Sequence, residues 1–250
     1  LVIRSDRRGI PAAEYQHGES TMARKRKPKI LACVFDAYGT LFDVHSAAAR
    51  CRGDLGDKAD ALSNAWRQKQ LQYTWLRSLM GAYVDFWKIT GDGLDYAMES
   101  VEIFDTAIRR KLLNLYLQLD AYPEVAAVLD RLKSARLTTA ILSNGTPEML
   151  DAAVRSAGLE KRLNYVLSVD EIGVYKPDPR VYQLAVDRVG ALPSEICFMS
   201  SNAWDACGAA HFGFQVVWVN RFNQPLERLP GKLKDEIWDL DALPEILGID

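Results

Sequence analysis

The chain predicts a doubly wound α/β fold, a Rossmann-like parallel sheet with a block of helices inserted after its first strand. Three observations carry that prediction. Short apolar runs recur at intervals, as strands of a buried sheet should. Amphipathic helical segments with clear start and stop residues separate them. One long stretch, about residues 46–119, breaks the alternation with helical patterns alone.

The first strand is read at residues 30–35, Ile-Leu-Ala-Cys-Val-Phe, with no polar side chain. Similar runs follow at 137–142, 165–169, 196–199 and 214–219. Pro147 opens a helix that Gly158 closes, and Pro179 opens another that Gly190 closes, the ends at which these residues are favoured. Strands alternating with helices of this length form βαβ units in a parallel sheet. In the inserted stretch Leu71, Trp75 and Leu79 share a helical face at four-residue spacing. Trp66, Tyr73, Tyr83, Phe86 and Trp87 make the segment rich in aromatic side chains. The organisation expected is therefore a core domain from 29–45 and 120–250, and a helical cap domain from 46–119. Residues 1–28 precede Met22 in part and carry no pattern, and are set aside as a disordered or vector-derived tail.

Bulk properties narrow the function. A net charge of -2 offers no footprint for nucleic acid. No apolar run approaches the roughly 20 residues that span a bilayer, so no membrane partner is expected. Cys33, Cys51, Cys197 and Cys207 lack zinc-type spacing and read as reduced thiols of a cytoplasmic protein. No metal site or cofactor is expected. The absence of a Gly-x-Ser-x-Gly elbow argues against a serine hydrolase, and the lack of a complete Gly-x-Gly-x-x-Gly against a dinucleotide enzyme.

Polar residues gather where strands end. Asp36 closes the first strand and is followed by Ala37-Tyr38-Gly39-Thr40. Ser143-Asn144-Gly145 follows the second, Lys176-Pro177 precedes a helix, and Ser200-Ser201-Asn202-Ala203-Trp204-Asp205 follows a later strand. Ligands of open α/β sheets bind at this carboxyl edge, so these segments converge on one site.

The order Asp-x-x-Gly-Thr, Ser-Asn, Lys-Pro and a strand-end acidic motif resembles the haloacid dehalogenase superfamily from about Lys29 to the end. Within it, Phe-Asp-Ala-Tyr-Gly-Thr-Leu-Phe-Asp-Val, Trp-Arg-Gln-Lys-Gln-Leu, Val-Tyr-Lys-Pro-Asp-Pro-Arg-Val-Tyr and Ser-Ser-Asn-Ala-Trp-Asp are similar to the L-2-haloacid dehalogenase branch. The resemblance implies an aspartate nucleophile, Asp36, that displaces halide from a short (S)-2-haloalkanoic acid through a covalent ester, with inversion to the (R)-2-hydroxyacid. Chemistry agrees with that branch. Superfamily phosphatases need a second aspartate to protonate an alkoxide; Tyr38 stands there, and halide leaves without a proton. They also hold Mg²⁺ with an acidic residue where this chain has Ser201, whereas a singly charged halocarboxylate is held by arginine.

The resemblance also distributes roles. Lys176 keeps Asp36 ionised and orders Asp205. Arg67 closes from the cap to receive halide, joined by Asn144, while Tyr38 and Phe86 shape the pocket. Ser143 and amides near Ala37 and Tyr38 hold the substrate carboxylate. Thr40 and Tyr182 complete the polar set, and Ser200, Asn202 and Asp205 place the hydrolytic water. A homodimer joined through the cap is implied. A Mg²⁺-dependent phosphatase, a hydrolase of a strained ring such as azetidine carboxylate, and a catalytically inactive binding protein are the competing readings.

Overall fold

In the computed structural model, which describes residues 29–249, the run after Lys29 becomes β1 (Ala32–Phe35), every residue of it buried. The segment set aside as a tail lies outside the described residues. After β1 come α1 (Ser46–Arg50), α2 (Arg52–Leu55), α3 (Ala59–Met80), α4 (Phe86–Ser100) and α5 (Thr106–Tyr116). The chain then alternates: α6 (Val125–Ser134), β2 (Thr138–Ser143), α7 (Pro147–Ser156), β3 (Tyr165–Ser168), α8 (Pro179–Val189), β4 (Ile196–Ser200), α9 (Ala203–Phe212) and β5 (Gln215–Val219). It finishes with β6 (Asp235–Ile237) and α10 (Leu243–Leu247).

All strand pairs are parallel, in the order β3-β2-β1-β4-β5-β6. The chain leaves β1 toward β2 and β3, then crosses back to β4 on its other side. The carboxyl end of β1 is therefore the switch point, where a crevice opens in such sheets. Register brings the strand ends level, with Phe35 opposite both Ile141 and Met199. Residues 36, 143–144 and 200–202 consequently line one edge. The edge strand β6 was not foreseen from sequence. Its Asp-Glu-Ile text pairs along one side only, so it carries no apolar run to read.

Proline at the first position helps start α7 and α8, and their N-caps Thr146 and Asp178 accept backbone N–H bonds from Met149 and Arg180. Two connections join the sheet to α1–α5 and run side by side: Phe42 bridges Ala121, Asp43 N donates to Asp120 O (2.9 Å), and Tyr122 N donates to Leu41 O (3.0 Å).

The buried row of α3 differs from the expected apolar stripe. It is Ala59, Leu62, Trp66, Gln70 and Thr74, while Leu79 is 85% exposed and Leu71 and Trp75 are half-buried. Polar side chains occupy that row because partners satisfy them. Gln70 donates to Thr90 Oγ1 (2.8 Å) on α4, and Thr74 donates to Leu71 O (2.6 Å). Trp66 donates to Thr90 O (2.8 Å), fixing α3 on α4. The row one residue along is left to face the core or solvent.

Candidate active site

At the switch point a lysine bridges two carboxylates. Lys176, between β3 and α8, places Nζ 3.0 Å from Asp36 Oδ1 and 2.9 Å from Asp205 Oδ2. All three side chains are buried, Lys176 to within 1% and Asp205 completely. Asp205 lies in the first turn of α9, yet its carboxylate caps nothing; Oδ1 accepts from Tyr182 Oη at 2.8 Å, and Tyr182 is wholly buried on α8. Asn144 Oδ1 accepts from the backbone N of Lys176 (3.1 Å), so β2 fixes the lysine from behind.

The other oxygen of Asp36 has its own donors. Asn202 Nδ2 donates to Oδ2 at 2.9 Å and Thr40 Oγ1 at 3.2 Å. Thr40 Oγ1 in turn accepts from Ser201 N at 2.8 Å, tying the ends of β1 and β4 together. Gly39, at φ +89°, turns the chain between Asp36 and Thr40, and a Cβ there would press on Ser201 Oγ at 3.0 Å. Ser200 Oγ accepts from Asn202 N (3.2 Å) and sets that amide. The amides of Ala37 and Tyr38 donate to no protein acceptor among the described residues.

Arg67 reaches this group from α3. Its guanidinium donates to Gln70 Oε1 (2.8 Å), Asn202 Oδ1 (3.2 Å) and Tyr38 O (3.4 Å). The Tyr38 ring stacks on Tyr116 with centroids 5.7 Å apart and packs against Phe86 at 5.8 Å. Gly145 leaves room for this ring, since an added Cβ there would come within 2.7 Å of Tyr38 Cε2. An open cleft of about 310 Å³ leads inward to Arg67 and Asn202, past Leu71, Trp204 and Phe222.

Electrostatics follow from burial and charge. Burial works to lower the Lys176 pKa, but Asp205 and Asp36 together hold it above its ordinary value, so it stays charged. Burial raises Asp205, opposed by Lys176. Burial, then Tyr116 and Asp36, push the Tyr38 phenol well up, and burial with Asp205 does the same for Tyr182. Both phenols stay neutral, and that of Tyr182 donates to Asp205. The site thus presents one carboxylate held by an ammonium, a hydroxyl and an amide beside a second carboxylate and an arginine.

The model of the haloacid dehalogenase-like hydrolase family matches residues 30–213. The chain belongs to that family. It is 50% identical over 219 residues to (S)-2-haloacid dehalogenase 1 of Pseudomonas sp. (strain CBS-3), covering 87% of this chain and 96% of that one. It is 48% identical over 218 residues to (S)-2-haloacid dehalogenase 4A of Burkholderia cepacia, covering 87% and 94%. Among solved structures, L-2-haloacid dehalogenase from Xanthobacter autotrophicus with chloropropionic acid covalently bound superposes with a TM-score of 0.82 at 37% identity, over 88% of this chain and 98% of that one.

Within this hydrolase the structure brings Asp36, Thr40, Lys176, Tyr182, Asn202, Asp205 and Arg67 into one hydrogen-bonded group. Tyr38 and Phe86 form a wall beside it. Ser143 makes no hydrogen bond to Asp36, its Oγ accepting from Gly145 N at 3.1 Å. Asn144 spends its oxygen on Lys176, and its Nδ2 has no acceptor among the described residues. Gln70 and Tyr116 went unread in the sequence. Gln70 is 1% exposed and exchanges hydrogen bonds with Tyr116 (3.0 Å) while orienting Arg67. Its three-residue spacing from Arg67 was the available signal, since such pairs share a helix face.

Proposed function

We propose that this chain is a hydrolytic dehalogenase of short (S)-2-haloacids, with Asp36 as the nucleophile. The arrangement that carries the reading is the Asp36 carboxylate held by Lys176, Thr40 and Asn202, with Tyr38 and Ser201 where a phosphatase needs acids.

Asp36 attacks the α-carbon opposite the halogen. The new carbon–oxygen bond forms as the carbon–halogen bond breaks, and halide leaves with the electron pair, which inverts the centre. Arg67, held by Gln70, receives the halide with Asn144 Nδ2. The substrate carboxylate docks on Ser143 and the amides of Ala37 and Tyr38, while Tyr38 and Phe86 exclude water around its carbon chain. Positioning of this kind supplies much of the rate. Ester formation removes the charge of Asp36 and leaves Asp205 as the carboxylate paired with Lys176. Water, placed by Ser200, Asn202 and Asp205, then adds to the carbonyl carbon of Asp36. Its oxygen stays on Asp36, one proton goes to the departing hydroxyacid oxygen, and one is released to solvent. Tyr182 keeps Asp205 in register throughout.

The donors around Asp36 do not suit Mg²⁺. A hard cation needs several oxygen ligands, whereas Asp36 faces an ammonium, a hydroxyl and an amide, and Asp205 is taken by Lys176 and Tyr182. This chemistry disfavours the phosphatase reading. We further read α1–α5 as a cap over the site, the cap as the joint of a homodimer, and the protein as cytoplasmic. Four buried free thiols fit a reducing compartment. No helix among the described residues is long and apolar enough to cross a membrane.

The test is single-turnover hydrolysis of (S)-2-chloropropionate in heavy-oxygen water, with Asp36→Asn as control. Label is expected in Asp36 on the first turnover and in product only later, and the variant should neither turn over nor trap ester. Label in the first product would mean that water attacks the substrate directly.

A further inference from the structure

A buried cation at the same sheet edge takes no part in the chemistry above. Arg221 follows β5, and its side chain is 8% exposed. Its NH2 nitrogen donates to the carbonyl of Thr40 at 2.9 Å and to Glu124 Oε1 at 2.5 Å, and its guanidinium carbon lies over the Tyr122 ring, 3.8 Å from the centroid. Glu124, 10% exposed, also accepts from Leu240 N at 3.4 Å. A buried ion pair costs desolvation that apolar packing avoids, so its presence calls for a role other than bulk stability.

Its three contacts belong to different parts of the molecule. Thr40 sits in the turn whose side chain holds Asp36 Oδ2 and whose amides at Ala37 and Tyr38 face the site. That turn closes on itself through Leu41 N to Ala37 O (2.9 Å) and Gly39 N to Phe42 O (2.7 Å), so a pull on one carbonyl reorients all of it. Tyr122 and Glu124 belong to the connection returning from α5, and Tyr122 N donates to Leu41 O next to the same turn. Arg221 therefore pins the nucleophile turn, the return connection and the end of β5 at one point.

We propose that Arg221 is a positioning residue for the reaction: it locks the Asp36–Thr40 turn to the connection between core and cap, so that the cap, when seated, holds Asp36 in line for attack. The proposal rests on the reading of Asp36 as nucleophile. Arg221 touches no reacting atom and acts through Thr40. Its guanidinium contact with the Tyr122 ring distinguishes it from lysine, which keeps the charge and some donors but loses the planar group.

The experiment compares wild type with Arg221→Met, Arg221→Lys and Glu124→Gln, measuring thermal melting, kcat and KM for (S)-2-chloropropionate, and the single-turnover rate of Asp36 ester formation by mass spectrometry. Misplacement of a reacting group by an ångström costs on the order of 10²-fold, so Arg221→Met should slow ester formation and kcat by about 30- to 100-fold with KM within about twofold. Arg221→Lys should recover part of that loss, and Glu124→Gln, which keeps the Thr40 contact, should lose less than either. A folded Arg221→Met with a lower melting temperature but kcat within about twofold of wild type overturns the proposal, because a purely structural role lowers stability alone. A rise in KM at unchanged kcat overturns it as well. Should Arg221→Met fail to fold, Arg221→Lys decides by the same criteria. Wild type that forms no Asp36 ester removes the nucleophile reading and this proposal with it, whereas wild-type ester with unaffected variants removes this proposal alone.

Discussion

Replacing Lys176 with methionine strands two buried carboxylates. Asp36 and Asp205 both bond to its Nζ, at 3.0 and 2.9 Å, with Asp205 fully buried and Asp36 nearly so. Removing one partner of a buried pair costs about 3–5 kcal/mol, because the other charge is left without compensation. For a chain of this size each kcal/mol lowers the melting temperature by roughly 2–4 °C, so the variant should melt roughly 6–20 °C below wild type at neutral pH. The loss should also depend on pH. Lys176 has its pKa raised, so its stabilisation is complete below its ordinary 10.5 and is lost only as pH rises through the higher folded value. Wild type therefore keeps this contribution unchanged between pH 8 and 5. In the variant, burial and Asp36 raise Asp205 further with no ammonium opposing them, so its protonation relieves the strain as pH falls. The deficit should shrink on going from pH 8 to pH 5. Adding Asp205→Asn should return part of the stability while leaving halide release abolished. Calorimetry at the two pH values with a halide assay checks this. A loss below about 1 kcal/mol, the size of an exposed pair, or a deficit that does not vary with pH would refute the reasoning.

Other consequences are open to direct measurement. Arg67→Lys should lower kcat by about 10²-fold although charge is kept, because a lysine lacks the fork that meets Gln70, Asn202 and the Tyr38 carbonyl together; near-normal halide release would make Arg67 an incidental contact. Exhaustive chelation should leave halide release intact, since Lys176, Thr40 and Asn202 occupy the space around Asp36; activity lost to chelator and restored by Mg²⁺ would reinstate a phosphatase-type site. The exposed Leu76, Leu79 and Met80 at the end of α3 lead us to expect a dimer, read as a sedimentation-equilibrium mass near twice 28.0 kDa; a clean monomer mass at micromolar concentration would reject it.

Much of the architecture was legible because it is written locally. The apolar runs that became β1, β2, β4 and β5 are buried almost throughout, and such strands advertise themselves as unbroken hydrophobic text, while the edge strand β3 was read from its apolar run although it leaves Val166 exposed. The prolines that open α7 and α8 and the glycines after them act within a turn or two of their own positions. Asp36, Asn202 and Asp205 could be grouped because strand ends in a parallel sheet must share an edge. By contrast, β6 has too little apolar content to be read and exists only because β5 offers a free edge. The stripe of Leu71, Trp75 and Leu79 was legible as a pattern, but which row of α3 is buried depends on where α4 lies, and Gln70 and Thr74 are inside because Thr90 and a helix carbonyl satisfy them.

By itself the sequence determined the fold class, the order of the first five strands and which side chains follow their ends, since each depends on short-range periodicity and capping. Tertiary structure alone decided how those side chains pair: that Lys176 bridges Asp36 and Asp205, that Gln70 aims Arg67, and that Arg221 joins Thr40 to Glu124, which lies 97 residues away in the chain from Arg221. Such contacts have no period in sequence. They depend on distance and burial, which exist only once the chain has folded and the solvent that would otherwise satisfy these charges has been excluded.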